Sequence, residues 1–346
     1  MERRFRSLVL AFFLFSILPA AAQQRYTLTD IGNLGGYYGG SAWAINARGE
    51  VVGASDVTHD IEKDTDHAFY WSESTGIIDL GVLVDQSGAA GINRSGTVVG
   101  WSYRNNYDSV ADGIRWTKNS GMQSLTGPTT YVVGASGIND SAQVVGTFYA
   151  VYKTNAEHAY RLTGFVLEDL GTLGGKNSYA YAINATGQVV GFSNTPTSGA
   201  LDGRAVLWQE GSGMKDLGTL PGDSFSAAAA INKSGQIAGG SYTSFTGPYR
   251  AFLWTENDAM RQIGTRPDFP GDSSYSALGM NDLGQVVGYA NQHAFIWSKA
   301  HGMHDLNKLI PPTPDGSSGK RGPSITPARS WAKDTSGATR TLTLSC

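Results

Sequence analysis

Four short runs of alternating small, apolar and polar residues make up a unit of about forty-seven residues, and the unit recurs six times along the chain. Its landmark is an apolar residue, Asn, two further residues and usually Gly, followed by an apolar pair and a second Gly. The landmark asparagines are Asn46, Asn93, Asn139, Asn184, Asn232 and Asn281, spaced 47, 46, 45, 48 and 49 residues apart. The first run holds small residues four and two places before the Asn, as in Ala42 and Ala44, Ala89 and Gly91, or Ala180 and Ala182. A period of two predicts that they share one face of an innermost strand, where neighbouring units crowd around a common axis. Asn-x-x-Gly predicts a tight turn, the Asn side chain bonding backbone two residues on and the Gly taking positive φ. The third unit has Ala142 in the place of that Gly, which predicts an altered or strained turn. The second run centres on Val51-Val52 and its counterparts, and the third on His67-Ala68-Phe69-Tyr70-Trp71, ending in Trp in five of six units. The fourth is 76–81, with Asp79-Leu80-Gly81 at its end.

Four antiparallel strands per unit predict an all-β chain, a β-propeller of six blades, in which closing the ring hides sheet edges that an open array would expose. A further copy of the fourth run, residues 26–32 with Asp30-Ile31-Gly32, precedes the first unit. It is a candidate to pair into the last blade and latch the ring, in competition with Asp305-Leu306. Seven blades, the seventh built from this strand and the tail, and a β-solenoid are the alternative architectures.

Residues 1–22 read as a secretory signal peptide: Arg3, Arg4 and Arg6, an apolar run over 8–18, then Pro19 and Ala20-Ala21-Ala22. No later stretch approaches the roughly 20 apolar residues of a transmembrane helix, so no membrane insertion is expected after cleavage. The expected destination is secreted or extracellular, with the periplasm as a variant of it. The repeat domain is assigned to 23–308, and 309–346, polar and opened by Pro311-Pro312-Thr313-Pro314, to a disordered or aberrant tail. Cys346 is the single cysteine, so an exported domain must be held by core burial and not by internal disulfides. Net charge is −3, and because leader and tail carry +2 and +3, the repeats are the acidic part. An acidic body without a basic stripe excludes nucleic acid as the expected partner.

The units resemble the HAF family of extracellular repeat proteins, named for His-Ala-Phe as at His67-Ala68-Phe69 and His293-Ala294-Phe295. The match covers roughly residues 26–308. The resemblance implies export and a repeat fold, and it brings no catalytic residues with it.

Recurrence also weighs on the residues that look chemical. His67, His158 and His293 occupy equivalent positions spread around an axis, too far apart to share a metal; each is read as a strand residue bonding neighbouring backbone. Asp30, Asp79, Asp169, Asp216 and Asp305 are read as one structural hydrogen bond remade in each blade, and Trp71, Trp116, Trp208, Trp254 and Trp297 as blade core. Asp60, Glu62, Asp64 and Asp66 lack the Gly and closing Glu of a calcium loop and read as a solvated acidic loop. No cofactor and no metal site is expected.

Loop lengths carry the functional inference. The Asn-x-x-Gly turn keeps its length, and the step from the third-run Trp position to the fourth-run Asp position is 8, 8, 7, 8, 8 and 8. The segments between second and third runs hold 13, 11, 11, 12, 10 and 4 residues. Strand alternation puts these variable connections on the opposite face, which is the expected binding face. Its candidate ligand residues are Tyr37, Tyr38, Trp101, Tyr103, Asn105, Tyr107, Asp223, Tyr249 and Asp272, with Phe245 beside them. Rings and amides together suit an extracellular polysaccharide, or a protein, held by a binding or scaffold module. An enzyme is the less favoured expectation: a glycan hydrolase or lyase using two face carboxylates among Asp85, Asp108, Asp202, Asp223, Asp268 and Asp272, with no catalytic residue assignable.

Overall fold

The computed structural model describes residues 29–60, 65–103, 111–125, 132–151, 156–196, 203–244, 248–264, 274–290 and 293–309. The assigned leader, and the assigned tail from residue 310 on, lie outside them. Six four-stranded antiparallel sheets follow one another, each made of four consecutive strands in order, and together they form a six-bladed β-propeller. Blade one comprises Gly40–Ile45, Val51–Asp56, Asp66–Ser72 and Gly76–Asp79. Blades two to six span 87–124, 132–169, 178–216, 225–262 and 275–305, and one helical turn, Leu306–Leu309, follows. The outer place of blade six is filled by Gly302–Asp305, paired to His293–Ser298. The expected latch is therefore corrected: residues 29–32 run outside any strand, and 26–28 lie outside the described residues.

The small residues of the innermost strand do not share a face. In each blade the register slips between the residues four and two before the Asn, so Ala89 pairs with Gly100 and Gly91 with Val99. The same bulge separates Ala42 from Ala44, Ala180 from Ala182, Ala228 from Ala230 and Ala277 from Gly279. One extra residue turns the second small side chain to the other side of the sheet. Ala89 accordingly packs back onto blade one, whereas a Cβ on Gly91 would lie 3.1 Å from Gly137 Cα in blade three. The crowding at the axis is real, and it falls on both faces.

Neighbouring blades meet through a repeated apolar junction. At the first, Val52, Ala68 and Leu80 of blade one close on Ala89, Ile92, Val98 and Trp116 of blade two. The second residue of His-Ala-Phe thus faces the following blade, while the third, as in Phe252 and Phe295, faces the preceding one. Trp116, Trp208, Trp254 and Trp297 belong to these junctions, and Trp71 packs against Ile31, Val51 and Phe69, so all five are blade core as read. Hydroxyls stitch three junctions: Ser87, Ser178 and Ser226 accept from Ala68 N, Ala159 N and Ala205 N at 2.8, 2.9 and 2.8 Å. Each donates in turn to a carbonyl, Gly81, Gly171 and Gly218 respectively.

The Asn-x-x-Gly turn forms as its chemistry dictates. Asn184 Oδ1 accepts from Thr186 N at 3.1 Å and Gln188 N at 3.0 Å, and Gly187 takes φ +82°. Ala142 adopts the same turn at φ 58°, its N–H donating to Asn139 O at 3.0 Å, so the third unit bears the strain of a left-handed alanine. Ala142→Gly should therefore stabilise the protein by about 0.5–1 kcal/mol, strain relief exceeding the entropy a glycine adds to the unfolded chain. A urea midpoint that stays put or falls would show that this turn carries no such strain.

Candidate ligand-binding face

The two ends of the ring differ in what their residues are committed to. At the uniform end each landmark Asn also reaches its neighbour: Nδ2 of Asn46, Asn93, Asn139, Asn184 and Asn232 donates to the carbonyl of the next landmark Asn at 2.9, 3.2, 3.1, 3.1 and 3.3 Å. This amide ladder runs through all six blades. Side chains consumed in it are unavailable to a ligand.

The recurring Asp and His are structural as well. Asp30, Asp79, Asp169 and Asp216 each accept from the N–H of the Gly two residues on, at 3.0, 2.7, 2.8 and 2.7 Å. The bond thus recurs at the ends of blades one, three and four and ahead of blade one, whereas blades two and five end in Ser124 and Gln262 and Asp305 meets His293 instead. The expected backbone partner of the histidines is corrected: Nδ1 of His67, His158 and His293 lies 2.9 Å from a carboxylate oxygen of Asp79, Asp169 and Asp305. The acid closing each fourth strand stands within reach of the residue opening the third. Of the acidic loop, Glu62 and Asp64 lie outside the described residues.

The opposite end gathers aromatic side chains. The sequence-predicted Trp101 and Tyr103 come together at 4.8 Å between ring centroids, and Trp43 of blade one lies 6.3 Å from Trp101. Gly88 lies beneath the two indoles, where a Cβ would come within 2.6 Å of Trp43 and 2.7 Å of Trp101. Tyr37 and Tyr38 are exposed and meet edge to face at 5.1 Å. They are tied to the end of the second strand by Tyr37 N to Thr58 O and Tyr38 N to Asp56 Oδ2, both 2.9 Å. Tyr249 packs on Tyr242 at 4.7 Å, and Tyr242 stacks on Phe225 at 5.3 Å.

Asp223 has another use. Its carboxylate pairs with Arg250 Nη2 at 2.7 Å and accepts from the Ser241 hydroxyl at 2.7 Å, with its side chain 4% exposed. It secures the linker into blade five and is not free to meet a ligand. Asn105, Tyr107, Phe245, Asp108, Asp202, Asp268 and Asp272 lie outside the described residues.

Further aromatic residues at this end lie outside the predicted set, Tyr179 in a first strand and Phe192 and Tyr242 in second strands. Tyr179 packs on Phe192 at 6.1 Å and donates to Glu157 Oε2 at 2.7 Å. Burial, then that carboxylate, then the neighbouring Tyr181 and Tyr149 push its pKa well up. Tyr242 is pushed up to about 12 by burial and by Tyr249 and Tyr181. Burial and Tyr289 raise Tyr249. Tyrosines from blades three to six thus lie near enough to influence one another, and the raised Tyr179, Tyr242 and Tyr249 stay un-ionised donors well above neutral pH. The signal that finds those in second strands is a second alternation, the residues one and three after the second-strand Gly: Trp101 and Tyr103, Tyr149, Phe192, Tyr242 and Tyr289.

No protein-family model and no curated protein matches the chain. Among solved structures it resembles XC5397, a gluconolactonase of Xanthomonas campestris, with TM-score 0.41 and 10% identity over 83% of this chain and 82% of that one. The β-propeller domain of the Trilobed protease of Pyrococcus furiosus gives 0.40 and 10% over 77% and 95%. AofleA of Arthrobotrys oligospora gives 0.44 and 13% over 81% and 87%. At this distance no activity carries across.

Proposed function

We propose that the chain is an exported binding module that takes a carbohydrate on the aromatic end of its propeller. The observation that carries this reading is the run of indoles and neutral tyrosines held there by the strands themselves. Ring faces stack on the C–H faces of sugars, and un-ionised phenols donate hydrogen bonds without attracting counter-charge. The leader-like residues 1–22 and the resemblance of the repeats to HAF proteins support export. The amide ladder supports the choice of face, because it engages the other end in holding the blades together.

The test is retention of the protein on immobilised polysaccharides and cell-envelope fractions, with soluble products analysed from the same wells. Saturable retention without released fragments is expected. Trp101→Ala should weaken retention about tenfold, about 1.4 kcal/mol, while the melting temperature of the variant reports any loss of packing against Trp43. Retention untouched by the substitution would move the site elsewhere. Released fragments would instead favour a hydrolase or lyase, and absence of retention on every glycan would favour a protein partner.

A further inference from the structure

The inner two strands of the blades bring almost no charge to the centre of the ring. Gly40–Ile45, Ser87–Ile92, Val132–Ile138, Ser178–Ile183, Phe225–Ile231 and Tyr275–Met280, the innermost strands, contain no Asp, Glu, Lys or Arg. In the second strands Asp56 is the one exception, and it is fully buried, accepting from Tyr38 N and Thr58 N. The third-strand cations Arg204 and Arg250 are drawn onto Ser224 O, Pro221 O and Asp223. A ligand entering from the aromatic end thus meets rings, hydroxyls and backbone on the inner strands, with no guanidinium or ammonium among them.

One carboxylate reaches this neighbourhood from a third strand. Glu157 stands opposite Tyr149 in blade three, and its Oε2 accepts from the hydroxyl of Tyr179, in the innermost strand of blade four, at 2.7 Å. Among the described residues no Lys, Arg or His pairs with it. The ionisable groups acting on Tyr179 are Glu157, Tyr181 and Tyr149, again without a cation. Tyr181, the extra residue of the blade-four bulge, also acts on Tyr242 in blade five. Glu157, Tyr149, Tyr179 and Tyr181 are all half-buried, so the carboxylate and its rings are dry enough to matter and open enough to be reached.

This pair is no part of the repeat's framework. Three residues past the second-strand Gly, Tyr149 opposite Glu157 corresponds to Asp56 opposite Asp66, Tyr103 opposite Ala111, Asn194 opposite Gly203 and Tyr242 opposite Tyr249. Tyr179 corresponds to Ser41, Gly88, Gly134, Ala227 and Ser276, none of which carries a phenol. Bonds that hold blades together recur from blade to blade, as the amide ladder does, whereas Tyr179 to Glu157 belongs to one junction.

A carboxylate partly withdrawn from water, set among phenol rings and without a protein cation, matches an ammonium group: opposite charges attract strongly where screening is weak, and ring faces attract N–H donors that carry charge. Building on the reading of this end as a carbohydrate site, we infer that its preferred ligand is an amino glycan with unacetylated amines, an ammonium seated between Glu157 and the neighbouring tyrosine rings. A uronate polymer is rejected on the same ground, because its carboxylates would meet Glu157 with no cation to offset them.

The experiment compares, by calorimetry on the full chain, a glucosamine oligosaccharide, its N-acetylated form of equal length and a galacturonate oligosaccharide. The amino form should bind at least about tenfold more tightly than the acetylated form, and the galacturonate most weakly. Glu157→Gln, which keeps an acceptor for the Tyr179 hydroxyl, should bring the first two within about threefold of each other and leave the acetylated form within about twofold of its original affinity. Glu73→Gln, an exposed acid in the turn between the third and fourth strands of blade one, should change neither. Should Glu157→Gln fail to fold, Glu157→Asp, which draws the charge back, should narrow the preference at least about threefold. Equal affinity for amino and acetylated forms overturns the inference and leaves the carbohydrate site standing. So does a preference that survives both substitutions of Glu157, or one that Glu73→Gln lowers equally. Binding of none of the three sugars removes the inference and the carbohydrate reading together.

Discussion

Gly191→Ala is expected to cost about 3 kcal/mol of folding stability, the upper end of what overpacking a close-fitting site costs. The register slip in the first strand of blade four swings the Tyr179 carbonyl over Gly191, so that an added Cβ would overlap the carbonyl oxygen and stand 2.9 Å from its carbon and 3.1 Å from Ala180 Cα. All three obstacles are backbone, and backbone at a bulge between two paired strands has nowhere to retreat. The informative partner is Gly218→Ala: that glycine has open space around it but φ +76°, so only left-handed strain of about 1–2 kcal/mol is at issue. Equilibrium urea unfolding of the two variants should rank Gly191→Ala clearly below Gly218→Ala. Equal losses would mean that the bulge does not bring the strands so close. The same overlap recurs at Gly53, Gly100, Gly146, Gly239 and Gly288, so the glycine after each apolar pair is a steric requirement and not a turn signal.

Asn184→Ala should cost about 2–3 kcal/mol, because it removes a buried side chain with five hydrogen bonds and leaves their part-buried partners unmatched. The side chain is buried and makes four bonds to its own turn: it accepts from Thr186 N, Gln188 N and Thr186 Oγ1, and donates to Gln188 Oε1 at 2.8 Å. A fifth, to Asn232 O at 3.1 Å, crosses to blade five. Asn184→Asp keeps the acceptor but turns a carboxylate toward two oxygens, and should lose nearly as much. The discriminating readout is amide exchange. A purely local role predicts faster exchange at Thr186 and Gln188 alone, while the ladder predicts that Gln236 N, which is held by Asn232 Oδ1, also quickens in the next blade. Exchange confined to blade four would remove the ladder as an element of cohesion.

That cross-blade bond marks the boundary of what the sequence makes legible. The blade count, the strand order and the Asn turn follow from local patterns, since a turn's chemistry lies within five residues. The ladder joins residues 45–49 positions apart, and no local pattern says which carbonyl a spare amide N–H will meet. Reading Ala89 and Gly91 as one face failed for a related reason: strict alternation assumes an uninterrupted ladder, and the bulge that breaks it is announced only by the glycine on the partner strand. His67 was given a backbone partner because the register that sets Phe69 opposite Asp79 belongs to the pairing and not to either strand. At the aromatic end, Trp101, Tyr103 and Tyr249 were legible as aromatics beside variable loops, and the fold leaves all three half-buried. Tyr242 carries the same signal as Tyr103, three residues after the second-strand Gly, whereas Tyr179 lies in a first strand and shows its place only by packing on Phe192. Asp223 had the composition of a ligand residue and the position of a linker clamp, and only Arg250 distinguishes the two.

Because every blade offers the same trailing half and the same leading half, a tandem duplication or deletion of one unit in the gene leaves matched surfaces on either side of the event. Val98 of blade two would receive the Leu of another blade, or Ile263 of blade five, as it receives Leu80. Recombination can thus lengthen or shorten the array without inventing an interface, and a loop-bearing rim can be reshuffled one blade at a time on a frame that already fits.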